Sequence, residues 1–522
     1  MISINCWRTL VASMAIMTSM SASSLYAAVY TNANVAADLT NATRWIGGVV
    51  PTWAGTSVLV WDNTLTTPAA CTNATGGGTL NVRGLVVLDP VSDVYVTNTS
   101  SKFCLNSQTS LGIDLSSAQK NLTIAGGIVF EHYQVNGISY TSTLSVAAGR
   151  RLTFQESVTH RGAAINITNQ GVVAYKKWNL SMNQGQGSII NLMGGTLTNE
   201  GSIAMEIAND VGHKGAVYQS GGAFYPYSAK LANKASSGTY VLSGGTAFFS
   251  GDLLINFGGT GTGEVAVTSG TLTQSGGLFA VGNGAGIAYY TQSGGTVTVY
   301  TNSIASGTGI GMFTISNGTF NATAFGQLAS GVGATGIMLL AGGTTTLPAF
   351  PTTRGVNASA IVTFDGGTLS PRASTNGYLR GLTAAYVTTN GAVLDTAGYD
   401  ITISQKLEDY SGHTGRLVKK GAGTLTLSGT NTYSGATIVT NGVLSQTHAQ
   451  CLSASSTVYL YSTATNNLSF EGTNTIRRLY VDNVLQQEKK AYSKTQFAVL
   501  SGNGYYYVTE GAKAPGTMVS FF

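Results

Sequence analysis

Short runs in which apolar and polar residues alternate recur along the chain, each opened by a pair of small residues. Gly194-Gly195-Thr196-Leu197-Thr198, Gly294-Gly295-Thr296-Val297-Thr298-Val299 and Gly366-Gly367-Thr368-Leu369 are examples. Alternation at period two predicts strands that bury one face. Gly and Asn before each run tolerate the left-handed backbone that a sharp corner needs. Helical periodicity is nearly absent beyond the first residues; Ser404–Tyr410 and Gln486–Ser493 are the only weak helical stretches.

The corners repeat at a fixed step. Markers at Gly126, Ala148, Gln170, Gly194, Gly221, Gly244, Ser269, Gly294, Asn317, Gly342, Gly366, Asn390, Lys420 and Asn441 follow one another at about 24 residues. Three strands of about five residues, with their corners, use roughly 20–25 residues. A propeller blade needs about 40, and sandwich turns are less regular. The pattern predicts an all-β fold, a right-handed parallel β-helix of about 24 residues per coil, capped at both ends. Caps are expected because an open coil end presents unpaired strand edges.

Composition narrows the function classes. Only 9% of the residues are charged and 68 are Gly, against about 25% charged in an ordinary soluble domain. Beyond the N-terminus no apolar run reaches the roughly 20 residues of a spanning helix. The net charge is +5, and Arg150-Arg151, Lys176-Lys177, Lys419-Lys420 and Arg477-Arg478 are scattered pairs. Adjacent residues on a strand face opposite ways, so each pair gives one side a single cation. Binding to nucleic acid needs several cations converging on one surface and is not expected.

The N-terminus reads as an address. Arg8 precedes the apolar segment Leu10–Met20, and small residues follow to Ala27-Ala28. This is the layout of a secretory signal peptide cleaved after Ala27. Of the four cysteines, Cys6 falls in that leader. Cys71 and Cys104 can pair in an oxidising compartment, leaving Cys451 over.

The segment from Gly415 to Leu444 carries Lys420-Gly421-Ala422-Gly423-Thr424-Leu425, Leu427-Ser428-Gly429, Asn431-Thr432-Tyr433-Ser434-Gly435 and Asn441-Gly442-Val443-Leu444. It resembles an autotransporter-associated β-strand repeat over about 30 residues. Trp45–Asp62, Leu111–Ser116 with Asn121–Ile124, and Leu479–Asp482 with Leu500–Gly504 resemble the opening, entry and closing regions of such proteins. The resemblance implies an exported, passenger-like β-helix of a Gram-negative-type bacterium, and it implies no catalytic residue. The pattern departs from the family in one respect. About 80 residues follow the last clear repeat, too few for a C-terminal membrane barrel, so a separate translocator is the expected partner.

Chemistry has few candidate residues. Glycoside hydrolysis uses two facing carboxylates, and lyase chemistry a base with a cation at the uronate. From Val265 to Thr353 there is no Asp, Glu, Lys, Arg or His, which leaves only Tyr289, Tyr290 or Tyr300 to act there. Stacking at the estimated step puts His132, Phe154, Lys176 and Glu200 in one column and His160, Met182 and Glu206 in a second. His213-Lys214, His413 and His448 read as solvated surface. No catalytic, cofactor-binding or metal-ligating residue is assigned, and no cofactor is expected.

The expected organisation is a signal peptide over 1–27, an N-terminal cap and solenoid entry over 28–120, and a β-helix over 121–450 containing the repeat 415–444. A C-terminal cap follows over 451–522. The expected function is that of a secreted or cell-surface structural or adhesive β-solenoid, associating with glycans or with itself and having no transmembrane segment once mature. The rival reading is a polysaccharide lyase or glycosidase built on a β-helix.

Overall fold

A computed structural model describes residues 28–31, 57–61, 69–73, 80–90, 92–98, 103–105, 112–131, 141–162, 164–168, 170–180 and 187–513. They fall into two compact units, one reaching Leu253 and including Gly261–Glu264, the other Leu254–Thr260 with the residues from Val265 onward. Both units are all-β and wind as a parallel solenoid of about 24 residues per coil.

In the first unit the described strands form three parallel ladders. The first ladder includes Thr141–Val146, Ala164–Thr168, Ser188–Leu192, Lys214–Gln219 and Ser237–Leu242. The second includes Leu122–Ala125, the start of Arg151–Arg161, the start of Val172–Leu180, Thr196–Asn199 and Ala223–Tyr225. The third takes Ile128–Glu131, the ends of Arg151–Arg161 and Val172–Leu180, then Met205–Ile207 and Ala229–Leu231. Cys71 lies on the second ladder and Cys104 on the third; their pairing falls on side chains outside those described.

The second unit repeats the plan. Its first ladder joins the opening of Ile287–Ile304 to that of Ile310–Leu328, then Thr335–Leu340 and Ser359–Phe364. Its second runs from Thr271–Gln274 through Thr344–Leu347, Thr368–Pro371, Leu417–Lys420 and Ala436–Val439 to Arg478–Val481. Its third includes Ile401–Ile403, Thr424–Leu427, Gly442–Gln446 and Ala464–Leu468. Among the described residues there is no helix. The two weakly helical stretches instead hold the strands Glu408–Asp409 and Lys490–Tyr492. Pairing with a neighbouring strand overrides local propensity there.

The core is made of side chains stacked coil upon coil. Phe130 lies parallel to Trp178 at 6.2 Å, with Phe154 edge-on to both. In the second unit Tyr290 stacks on Phe313 at 4.8 Å, and Phe320 meets both edge-on. Each such burial contributes roughly 1.5–3 kcal/mol, with about 0.5–1.5 kcal/mol more per aromatic pair.

The corners explain the Gly-Gly words. Gly195, Gly222 and Gly245 in one unit, and Gly270, Gly295, Gly318 and Gly343 in the other, all have positive φ at the turn from first to second ladder. They stack so closely that a Cβ on Gly318 would stand 2.6 Å from the Gly295 carbonyl oxygen. The corner between third and first ladders uses other residues. Ala208 (φ 61°), Ala232 (φ 53°), Ala305 (φ 53°) and Ala329 (φ 55°) hold left-handed backbone there, fully buried. Beside each of them the next first-ladder strand carries a buried glycine, Gly215, Gly238, Gly311 or Gly336, whose missing Cβ makes room for the corner. One coil reverses the arrangement, with Gly282 at the corner (φ 90°) and Ala288 on the strand.

Near the C-terminal end the ladders fold back. Arg478–Val481 turns through Asp482 and Asn483, both at positive φ, onto Val484–Leu485, and Lys490–Tyr492 runs antiparallel to Tyr505–Val508.

Candidate functional site

The acid–base columns expected from the spacing do not form in the register observed. His132 and Met182 lie outside the described residues. Phe154 pairs with Tyr175, and Tyr175 with Asn199, one residue short of Lys176 and Glu200. Because strand side chains alternate, that single step turns Lys176 outward and Tyr175 into the core. Glu200 instead meets Arg151 in a surface ion pair, a contact worth about 0–1 kcal/mol. His160 pairs with Phe130 and Leu180 and is fully buried, its ring 6.3 Å from that of Phe130. Glu206 accepts a bond from Asn209 at 2.8 Å.

The remaining histidines are dispersed. Burial holds His213 below its ordinary pKa, with Asp210 opposing. His413 packs on the Tyr410 ring, and His448 faces the Ser428 carbonyl. Tyr290 is interior, its hydroxyl donating to Gln292 at 2.8 Å and burial pushing its pKa well up, whereas Tyr300 is exposed. Among the described residues no three His, Cys, Asp or Glu side chains form a metal-holding group.

Polar chemistry instead concentrates inside the coils from Asp395 to Cys451. Alternation on Leu417–Lys420 turns Lys420 outward and Lys419 inward, where it is fully buried. Its ammonium donates to Lys420 O at 2.8 Å, Gly421 O at 2.7 Å, Asn441 O at 3.0 Å and Thr396 Oγ1 at 3.1 Å. Burial pushes this lysine down to about 8, with Asp395 and Asp400 pulling the other way. The cage satisfies a charge that water has left.

The other words of the segment act in the same way. Asn431 accepts from Leu407 N at 2.8 Å in the coil before and donates to Cys451 O at 2.7 Å in the coil after. The Tyr433 hydroxyl pairs with Thr437 Oγ1 at 2.6 Å, and its pKa is raised by burial. Ser434 donates through Oγ to Asp409 at 2.6 Å, and the same carboxylate accepts Gly415 N at 2.6 Å. Gly435 packs so closely on Gly415 that a Cβ would be 2.5 Å from its carbonyl oxygen. Beyond the segment, Gln446, Asn466, Asn474 and Tyr506 form one buried network.

The motif residues are thus joints between successive coils, and Lys419 is the one that sequence reasoning missed. Its signal was the strand phase, which fixes which member of Lys419-Lys420 points inward. This is the interior of a repetitive parallel β-solenoid.

Residues 417–445 match the family model of the passenger-associated transport repeat. The chain is also similar to an adhesin, the BmaC autotransporter of Brucella suis biovar 1 (strain 1330). The identity is 34% over 133 residues, which is 25% of this chain and 4% of that protein. The chain therefore spans only a small part of that relative's length. No solved structure matches it. The chain thus carries an autotransporter passenger-type repeat within a parallel β-solenoid.

Proposed function

We propose that this chain is a displayed, non-enzymatic β-solenoid that serves at the outer surface of a Gram-negative cell, or after release from it, as a structural or adhesive element. The observation that carries the reading is the transport-type repeat built into the interior of a parallel solenoid. Export begins with the leader over 1–27 and is completed by a translocator.

Adhesion uses the outer faces. They present neutral hydroxyl and amide groups with exposed Tyr218, Tyr225, Tyr227 and Tyr300, and tyrosine can stack on sugars or on a second copy of the chain. The dispersed histidines and solvent-screened ion pairs support display over catalysis.

Protease shaving of intact cells, followed by fractionation, tests display. Peptides from the chain beyond Ala27 are expected in the shaved fraction, or the chain without its leader in the released one. A chain confined to the cytoplasm overturns the reading. So does turnover of a neutral or acidic polysaccharide by the purified protein.

A further inference from the structure

In the second unit four consecutive coils present an outward pair of short polar side chains on one ladder, and a fifth presents the first member of such a pair. Thr271 and Thr273 lie beside Thr296 and Thr298, and these beside Thr319 and Asn321. Thr344 and Thr346 come next, followed by Thr368 and Ser370. The residues between them, Leu272, Val297, Phe320, Thr345 and Leu369, are buried, so alternation turns the named pairs outward. All but Ser370 are half-buried or exposed.

Coils in such a ladder stand about 4.8 Å apart, and residues i and i+2 of one strand roughly 6.6 Å apart. Over the first four coils the side chains therefore form a grid of two ranks, threonine at every place but Asn321. β-Branched threonine is stiff at χ1, so little entropy is lost when a rank adopts one geometry. No Asp, Glu, Lys, Arg or His occurs from Val265 to Thr353, and the grid as far as Thr346 lies inside that stretch.

We propose that this face binds ice. The coil period is close to the shorter oxygen repeat on a prism face of hexagonal ice, and the strand period lies within about a tenth of the longer one. The methyl groups exclude loose water between the ranks, while the hydroxyls occupy positions a lattice water would take. A dissolved glycan chain repeats in one direction and does not use the second period; a crystal face uses both. The absence of charge matters for the same reason, since an ion orders water around itself and not into a lattice. The inference is independent of adhesion, because it concerns the folded coil whether or not the chain holds cells together.

The test uses the purified full chain, fluorescently labelled, with a single ice crystal grown slowly from its solution. Incorporation into the ice, with faceting of small crystals, is expected. Thr296→Lys combined with Thr298→Lys sets two charges in the middle of the grid and should lower incorporation by roughly tenfold or more, the scale of one desolvated charge. Thr291→Lys, on the neighbouring ladder, should leave incorporation unchanged. Circular dichroism and the urea midpoint establish that the variants are folded, and Thr344→Lys replaces the double variant if it is not. Exclusion of the wild-type chain from growing ice overturns the proposal. Equal behaviour of the wild-type chain and the grid variants does the same, as does retention on microcrystalline cellulose but not on ice.

Discussion

The ammonium of Lys419 donates to the carbonyl of Asn441 at 3.0 Å, joining a fully buried cation to the corner of the following coil. Together with its bonds to Lys420, Gly421 and Thr396, this contact makes one side chain the common fastening of three consecutive coils. Removing it leaves three part-buried backbone carbonyls without this donor. Lys419→Met is expected to lower stability by about 1–3 kcal/mol, read from the urea midpoint, whereas Lys420→Met on the exposed side should change it by less than about 0.5 kcal/mol.

The same lysine sets a pH dependence. Its folded value, about 8, lies below the roughly 10.4 of a free lysine, so above pH 8 the unfolded chain binds more protons than the native one. Stability therefore rises as pH increases from about 8 towards 10. The urea midpoint should climb between pH 8 and 9.5 in the wild-type chain and stay flat in Lys419→Met. A falling midpoint over that window would mean that the cage outweighs the cost of burial and holds the ammonium charged.

Buried tyrosines act in the opposite sense at higher pH. Tyr290, Tyr378, Tyr433 and Tyr506 are held above their ordinary pKa by burial. Their contribution is complete below about pH 10, where the unfolded phenols begin to ionise, and is lost as pH rises further. Ultraviolet titration should show exposed tyrosines ionising first and the buried set ionising only with cooperative unfolding.

The stacked glycine corner predicts a sharp steric effect. Gly318 has φ 88° and no room for a Cβ against Gly295, so Gly318→Ala should cost about 2–4 kcal/mol. Ala305→Gly, at the alanine corner, relieves left-handed strain while adding freedom to the unfolded chain, and should stay within about 1 kcal/mol of wild type. Thermal midpoints of the two variants separate the corners.

Asn302 interrupts an interior stack. It is fully buried between Phe279 and Phe325 on the third ladder, and neither atom of its amide has a hydrogen-bond partner among the described residues. Asn302→Leu keeps the size and removes the unpaired group, and should raise stability by about 1–2 kcal/mol. A lower urea midpoint in this variant would show that the amide is satisfied in solution.

Much of the coil was legible in the residues themselves. Thr196-Leu197-Thr198 and Thr296-Val297-Thr298 announced strands with one buried face, and the Gly-Gly pairs before them marked a real corner. The step from Ile165 to Ile190, Val217 and Tyr240 on one ladder has the period that the glycine markers carry. The repeat around Asn431, Tyr433 and Ser434 was visible as a motif, but its polar groups gained a purpose only when successive coils were stacked.

By itself, then, the sequence determined the strand type, the period and the placement of the glycine corner, because each of these is set within one coil by alternation and backbone freedom. Only the tertiary structure decided whether Tyr175 or Lys176 met the preceding Phe154, which of Lys419 and Lys420 turned inward, and that Ala208 and Ala305 would hold left-handed corners. Those choices depend on the coil above and the coil below. A shift of one residue in that pairing exchanges core for surface, and a buried glycine such as Gly311 is what makes space for an alanine on the neighbouring corner.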